Sequence, residues 1–88
     1  MTDPLERLRT MFIERCRTDL EQLRALEPGH PDVGAIAHRL AGAAGSFGYP
    51  EISEAASLVD DRARYGPPPS TEEVRNMTQA MERAIVSG

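Results

Sequence analysis

The sequence has no lysine, no tryptophan, a single cysteine and very few aromatic residues. All ten of its basic residues are therefore arginine, set against fourteen acidic ones for a net charge of −4. An acidic chain without a basic cluster is poorly suited to a phosphate backbone, so nucleic acid is not an expected partner. Cys16 alone cannot form an intrachain disulfide, which argues against a small secreted scaffold. Cys16, His30 and His38 together fall short of the four ligands of a closed zinc site, so no metal is expected. No apolar run approaches the length of about 18 residues needed to cross a bilayer, which removes a membrane role. Met1-Thr2-Asp3-Pro4 has neither a positive n-region nor an apolar h-region, so no signal peptide is expected and the default compartment is the cytoplasm. No glycine-rich loop follows a strand pattern, so no nucleotide-binding or autokinase motif is present and the chain does not read as an enzyme.

What is there fits one small folded unit. The 88 residues are 40% hydrophobic and 27% charged, which disfavours disorder and suits a single domain over 1–88, expected to be free-standing. Three groups of breakers divide it: Pro28-Gly29-His30-Pro31, Gly48-Tyr49-Pro50 and Gly66-Pro67-Pro68-Pro69. The four segments between them all carry helical periodicity. The first is predicted from about Pro4 to Glu27, with Asp3 as cap, Pro4 in the first turn and Glu6 completing a capping-box pattern. Its inward stripe is Leu5, Leu8, Phe12, Cys16, Leu20, Leu23 and Leu26. The second runs from about Asp32 to Ser46 with Val33, Ile36, Ala37, Leu40, Ala44 and Phe47 inward. The third spans about Pro50 to Arg64, with Ile52, Ala55, Ala56, Val59 and Ala63 inward. The fourth covers about 70–86, opens on a Ser70–Glu73 capping box and buries Val74, Met77, Met81, Ala84 and Ile85. Four amphipathic helices joined by short links predict an all-α fold, an antiparallel up-down four-helix bundle. The Met pair reads as core filling, Cys16 as a buried small hydrophobe, His30 as a loop residue and Pro67–Pro69 as a stiff connector.

His38 is the residue that this core pattern does not absorb. It lies roughly 160° around the second helix from Leu40, on the solvent side. Its same-face neighbours at i−4, i−3, i+3, i+4 and i+7 are Gly34, Ala35, Ala41, Gly42 and Gly45. A solvated face ordinarily carries long polar side chains, and each of the three glycines costs helix stability, about 1 kcal/mol relative to alanine. Close helix–helix packing explains a small-residue stripe but not a histidine in its middle. The stripe leaves an imidazole standing over nearly bare backbone, where a partner surface can approach and meet a neutral ring nitrogen.

The run Ala37-His38-Arg39-Leu40-Ala41-Gly42-Ala43-Ala44-Gly45-Ser46-Phe47-Gly48 resembles the signature of histidine-containing phosphotransfer (Hpt) domains, roughly H-x-L-K-G followed by an apolar residue and glycine. The Ile52…Ala56…Val59-Asp60 run is similar to the family's next helix, so the resemblance covers about residues 33–61. It implies that His38 accepts a phosphoryl group from the aspartyl phosphate of a response-regulator receiver domain and relays it in a two-component phosphorelay. It also implies that Gly42 leaves room for that group, that receivers or a hybrid histidine kinase are the partners, and that Mg²⁺ belongs to the receiver rather than to this chain. The family's usual lysine is Ala41 here. Arg39 and Arg62 are the candidate charge support in its place, while Arg64 is expected on a solvated face. A second reading is a non-catalytic helical adaptor that binds a receiver or a partner helix through the same small-residue face.

Overall fold

The computed structural model describes residues 3–87; residues 1, 2 and 88, the ends of the expected 1–88 domain, lie outside the described residues. Helix α1 covers Pro4–Arg24, α2 Pro31–Phe47, α3 Pro50–Tyr65 and α4 Thr71–Ser87, with no strand among the described residues. Each boundary has a local cause. The Asp3 side chain accepts from the Leu5 amide at the start of α1. That helix stops at Arg24, three residues before the expected Glu27. There the amides of Ala25 and Leu26 turn back to the carbonyls of Gln22 and Leu23 at 3.1 and 3.2 Å, tightening the last turn ahead of Pro28. His30 is more than a loop residue: its Nδ1 accepts from the Asp32 amide at 3.0 Å and caps α2, with Pro31 in the first turn. Gly48 ends α2 in the left-handed region at φ 84°, a conformation that glycine adopts without a Cβ clash. Before α4, Ser70 and Glu73 exchange two hydrogen bonds of 2.9 and 3.1 Å, the reciprocal box expected from their spacing.

One core joins all four helices. Each helix packs closely against its two neighbours in the order α1–α2–α3–α4–α1, and the backbones of the diagonal pairs stay further apart. The inward stripe of α2 is as predicted, with Val33, Ile36, Ala37, Leu40 and Ala44 buried and Phe47 packed against them. Three expectations need correction. Leu5 and Leu8 are exposed, because Arg9 already reaches the carbonyl of Phe47, the last residue of α2, and the first turn of α1 lies beyond that end. Ile13 is buried on α1 instead, beside Phe12. Ala63 is exposed at the α2–α3 contact rather than inside the core. Ala80 joins the α4 stripe.

The interior also holds one carboxylate. Asp19 is 1% exposed, and Arg39 reaches across from α2 to grip both of its oxygens, at 2.9 and 3.1 Å. Arg15 adds a longer contact of 3.4 Å. Cys16 lies next to this pair; burial and the Asp19 charge push its thiol up to about 12, so the sulfur stays protonated and inert. No helix among the described residues is long and apolar enough to cross a membrane.

Candidate functional site

The helical period that buries Leu40 turns His38 outward, and its side chain is 64% exposed. Two groups from α3 reach it. Asp60 Oδ2 lies 3.1 Å from His38 Nδ1, and Arg64 Nη2 lies 2.9 Å from the same nitrogen. Arg64 also stands 3.5 Å from Asp60 Oδ1, one helical turn away on its own helix. The close approach of α2 and α3 makes these contacts. At Gly34, a Cβ would sit 2.6 Å from the Ala63 Cβ, so only glycine allows the two backbones this near. Ser53 Oγ donates to the Ala41 carbonyl at 3.0 Å and ties the helices together at the next turns.

The five small residues around His38 therefore divide into two sets. Gly34 and Gly45 face α3: a Cβ at Gly45 would meet Ser53 Oγ at 3.4 Å. Ala41 is half-buried against the core, with its carbonyl on the same serine. Gly42 has nothing within 4 Å of an added Cβ, and Ala35 is exposed. Ala35 and Gly42 form the open approach to the imidazole. Gly34, half-buried, belongs to helix packing and lines the cleft beside His38.

Nδ1 cannot serve both of its neighbours at once. A neutral imidazole has one N–H and one lone pair. If Nδ1–H donates to Asp60, the lone pair is on Nε2. If Nδ1 accepts from Arg64, the proton is on Nε2 and that nitrogen is no nucleophile. Both contacts fall on Nδ1, and among the described residues Nε2 has no hydrogen-bond partner. The Asp60 arrangement therefore presents a lone pair outward from an oriented ring, the geometry a nucleophilic histidine needs.

The arginines sort differently from the sequence expectation. Arg39 points the other way, into Asp19, whose carboxylate hydrogen bonds raise its pKa further and keep it committed there. Arg62 Nε donates to Glu73 at 3.0 Å, linking α3 to α4. Its charge is paired, although the residue lines the same cleft of about 580 Å³ as His38, Asp60 and Arg64. Arg64, expected on a solvated face, is the cation at the ring. The sequence did contain a signal for Asp60 and Arg64. Their i,i+4 spacing puts both on one face of α3, but only the α2–α3 register shows that this face meets His38.

Comparison with protein families gives a match to the family described as "Hpt domain", over residues 7–84, nearly the whole chain. No curated protein and no solved structure matches.

Proposed function

The chain belongs to the Hpt domain family, whose members are phosphocarrier modules of two-component signalling, and on that premise we propose that His38 is its phosphoacceptor. The observation that carries the reading is the pairing of an outward-facing His38 with Asp60 at Nδ1. The partner is a receiver domain, or a hybrid histidine kinase that contains one. It docks over Ala35 and Gly42 and brings an aspartyl phosphate, with Mg²⁺ on its own side. The Nε2 lone pair attacks phosphorus in line. The bond from phosphorus to the receiver carboxylate breaks, and its electron pair returns to that carboxylate. During the attack Asp60 accepts from Nδ1–H and offsets the positive charge that develops on the ring. Because that proton stays in place, the phosphoimidazole remains a good leaving group and the step runs in either direction.

The scaffold in this reading is one domain, an antiparallel up-down bundle working in the cytoplasm. Cross-helix pairs support the topology: Asp19 with Arg39, Gly34 with Ala63, Ala41 with Ser53, and Arg62 with Glu73. Late Arg62 meets early Glu73, and along the α2–α3 pair early Gly34 meets late Ala63 while the later Ala41 meets early Ser53, the order of antiparallel neighbours.

The test is incubation of the chain with a panel of phosphorylated receiver domains and Mg²⁺, followed by an assay for acid-labile label. Wild type should be labelled and His38→Gln should not, with the variant's stability within about 0.5 kcal/mol because the site is exposed. Label retained in His38→Gln would refute the assignment. Receiver binding without any label on wild type would instead establish the adaptor.

A further inference from the structure

We propose that Arg64 is the cation that neutralises the incoming phosphoryl group, moving from His38 Nδ1 and Asp60 onto the phosphoryl oxygens as the bond to Nε2 forms. This inference rests on His38 being the phosphoacceptor. A phosphoryl group brings close to two negative charges at neutral pH, and some group near Nε2 has to meet them. The face of α2 around His38 supplies none, since residues 34, 35, 41, 42 and 45 are all glycine or alanine. Three arginines are near enough in sequence or space to be considered. Arg39 is spent on the buried Asp19. Arg62 is tied to Glu73 across the α3–α4 contact. Arg64 alone touches the imidazole, at 2.9 Å, and its own ion pair with Asp60 is long, at 3.5 Å. It is half-exposed, so its long side chain can move without opening the core.

The resting contact also has to be exchanged for the chemistry to occur. While Arg64 donates to Nδ1, the ring proton is on Nε2 and attack is blocked. An arriving phosphoryl dianion is a far stronger acceptor than a neutral ring nitrogen, because it adds ion–ion attraction and can take two parallel hydrogen bonds from the guanidinium. Arg64 then transfers its hydrogen bonds and gives up no proton. Solvent water takes the proton from the exposed Nε2 and returns one to Nδ1, where it donates to Asp60, and the lone pair appears on Nε2. The substrate thus draws off the group that holds the nucleophile in its idle tautomer.

Phosphoramidate is the suitable probe, because it delivers a phosphoryl group with no protein partner. The Nε2–P bond forms, the donor's P–N bond breaks, and nitrogen leaves as ammonia. Uptake by the full chain is followed by ³¹P NMR for wild type, Arg64→Lys and Arg64→Met, with His38→Gln as control. Arg64→Met should slow uptake roughly 10- to 100-fold, less than the loss of a buried oxyanion donor because the site is half open to water. Arg64→Lys should retain most of the rate, and the phosphohistidine resonance should shift in Arg64→Met because the guanidinium no longer touches the phosphoryl oxygens. An unchanged rate in Arg64→Met would overturn the proposal. So would equal losses in the Lys and Met variants with no change of resonance, the behaviour of a residue that merely props Asp60. No His38-dependent signal in wild type, or the same signal in His38→Gln, would count against the phosphoacceptor reading itself.

Discussion

Arg39 and Asp19 form a two-pronged ion pair between α2 and α1, with hydrogen bonds of 2.9 and 3.1 Å to a carboxylate that is 1% exposed. Arg39 is adjacent in sequence to the reactive candidate His38, yet it faces the opposite side of the helix interface and serves the fold. Stability and chemistry are thus assigned to neighbouring residues of one helix, about 100° apart around it.

Arg39→Ala should therefore destabilise the domain and leave phosphoryl uptake intact where the chain is folded. Removing one partner of a fully buried pair costs about 3–5 kcal/mol. A loss of about 1–3 kcal/mol is expected here, because Arg39 is half-exposed and Arg15 stays near Asp19. Denaturant titration beside a labelling assay decides it. Slowed uptake in a fully folded variant would return Arg39 to the reactive site.

Gly34 and Gly42 should respond in opposite ways to an added side chain. Gly34→Ala forces a Cβ to within 2.6 Å of Ala63 Cβ, and the strain should cost about 1–3 kcal/mol. Gly42→Gln meets nothing within 4 Å and should gain up to about 1 kcal/mol of helix propensity. The same glutamine stands beside His38 and should block uptake from a receiver domain while sparing uptake from phosphoramidate. Thermal melts and the two donors together test this; equal inhibition of both donors would remove the docking role.

Asp60→Asn keeps the size of the side chain and removes its charge. Uptake should fall roughly 10- to 100-fold, as when a group that orients a reactive histidine is lost. The distinctive readout is the ¹⁵N spectrum of the imidazole, in which the population with the proton on Nδ1 should drop. A slower rate with unchanged ¹⁵N shifts would mean that Asp60 acts on the partner and not on the ring.

Glu73 should give acid unfolding a recognisable component. The Ser70 amide and, next, the Arg62 guanidinium both donate to its carboxylate and hold its pKa below the ordinary 4.5. A depressed carboxylate contributes stability that is present above the unfolded value and lost as pH falls through the folded one. The stability difference between wild type and Glu73→Gln should accordingly be constant near pH 7 and shrink only below about 4.5. A difference independent of pH would refute the assignment.

The sequence by itself determined the four helices, the caps at Asp3 and Ser70 and the inward face of α2, because these depend on residues within four positions of each other. Breakers at Pro28–Pro31, Gly48–Pro50 and Gly66–Pro69 delimit the helices, and the 3.6-residue period that sends Leu40 inward sends His38 outward. Such local information had two limits. The overhang of α1, which exposes Leu5 and Leu8, depends on where other helices stop. The partners of each charge depend on the register between helices. The chain offered three arginines near His38, and local reasoning preferred Arg39 and Arg62 and left Arg64 to solvent. Only the tertiary structure gave Arg39 to Asp19, Arg62 to Glu73 and Arg64 to His38. The physical reason is the close contact of Gly34 with Ala63, which brings α2 and α3 near enough for Asp60 and Arg64 to reach the imidazole. Helical periodicity fixes the direction of a side chain from its own helix, and the packing of backbones fixes what it meets.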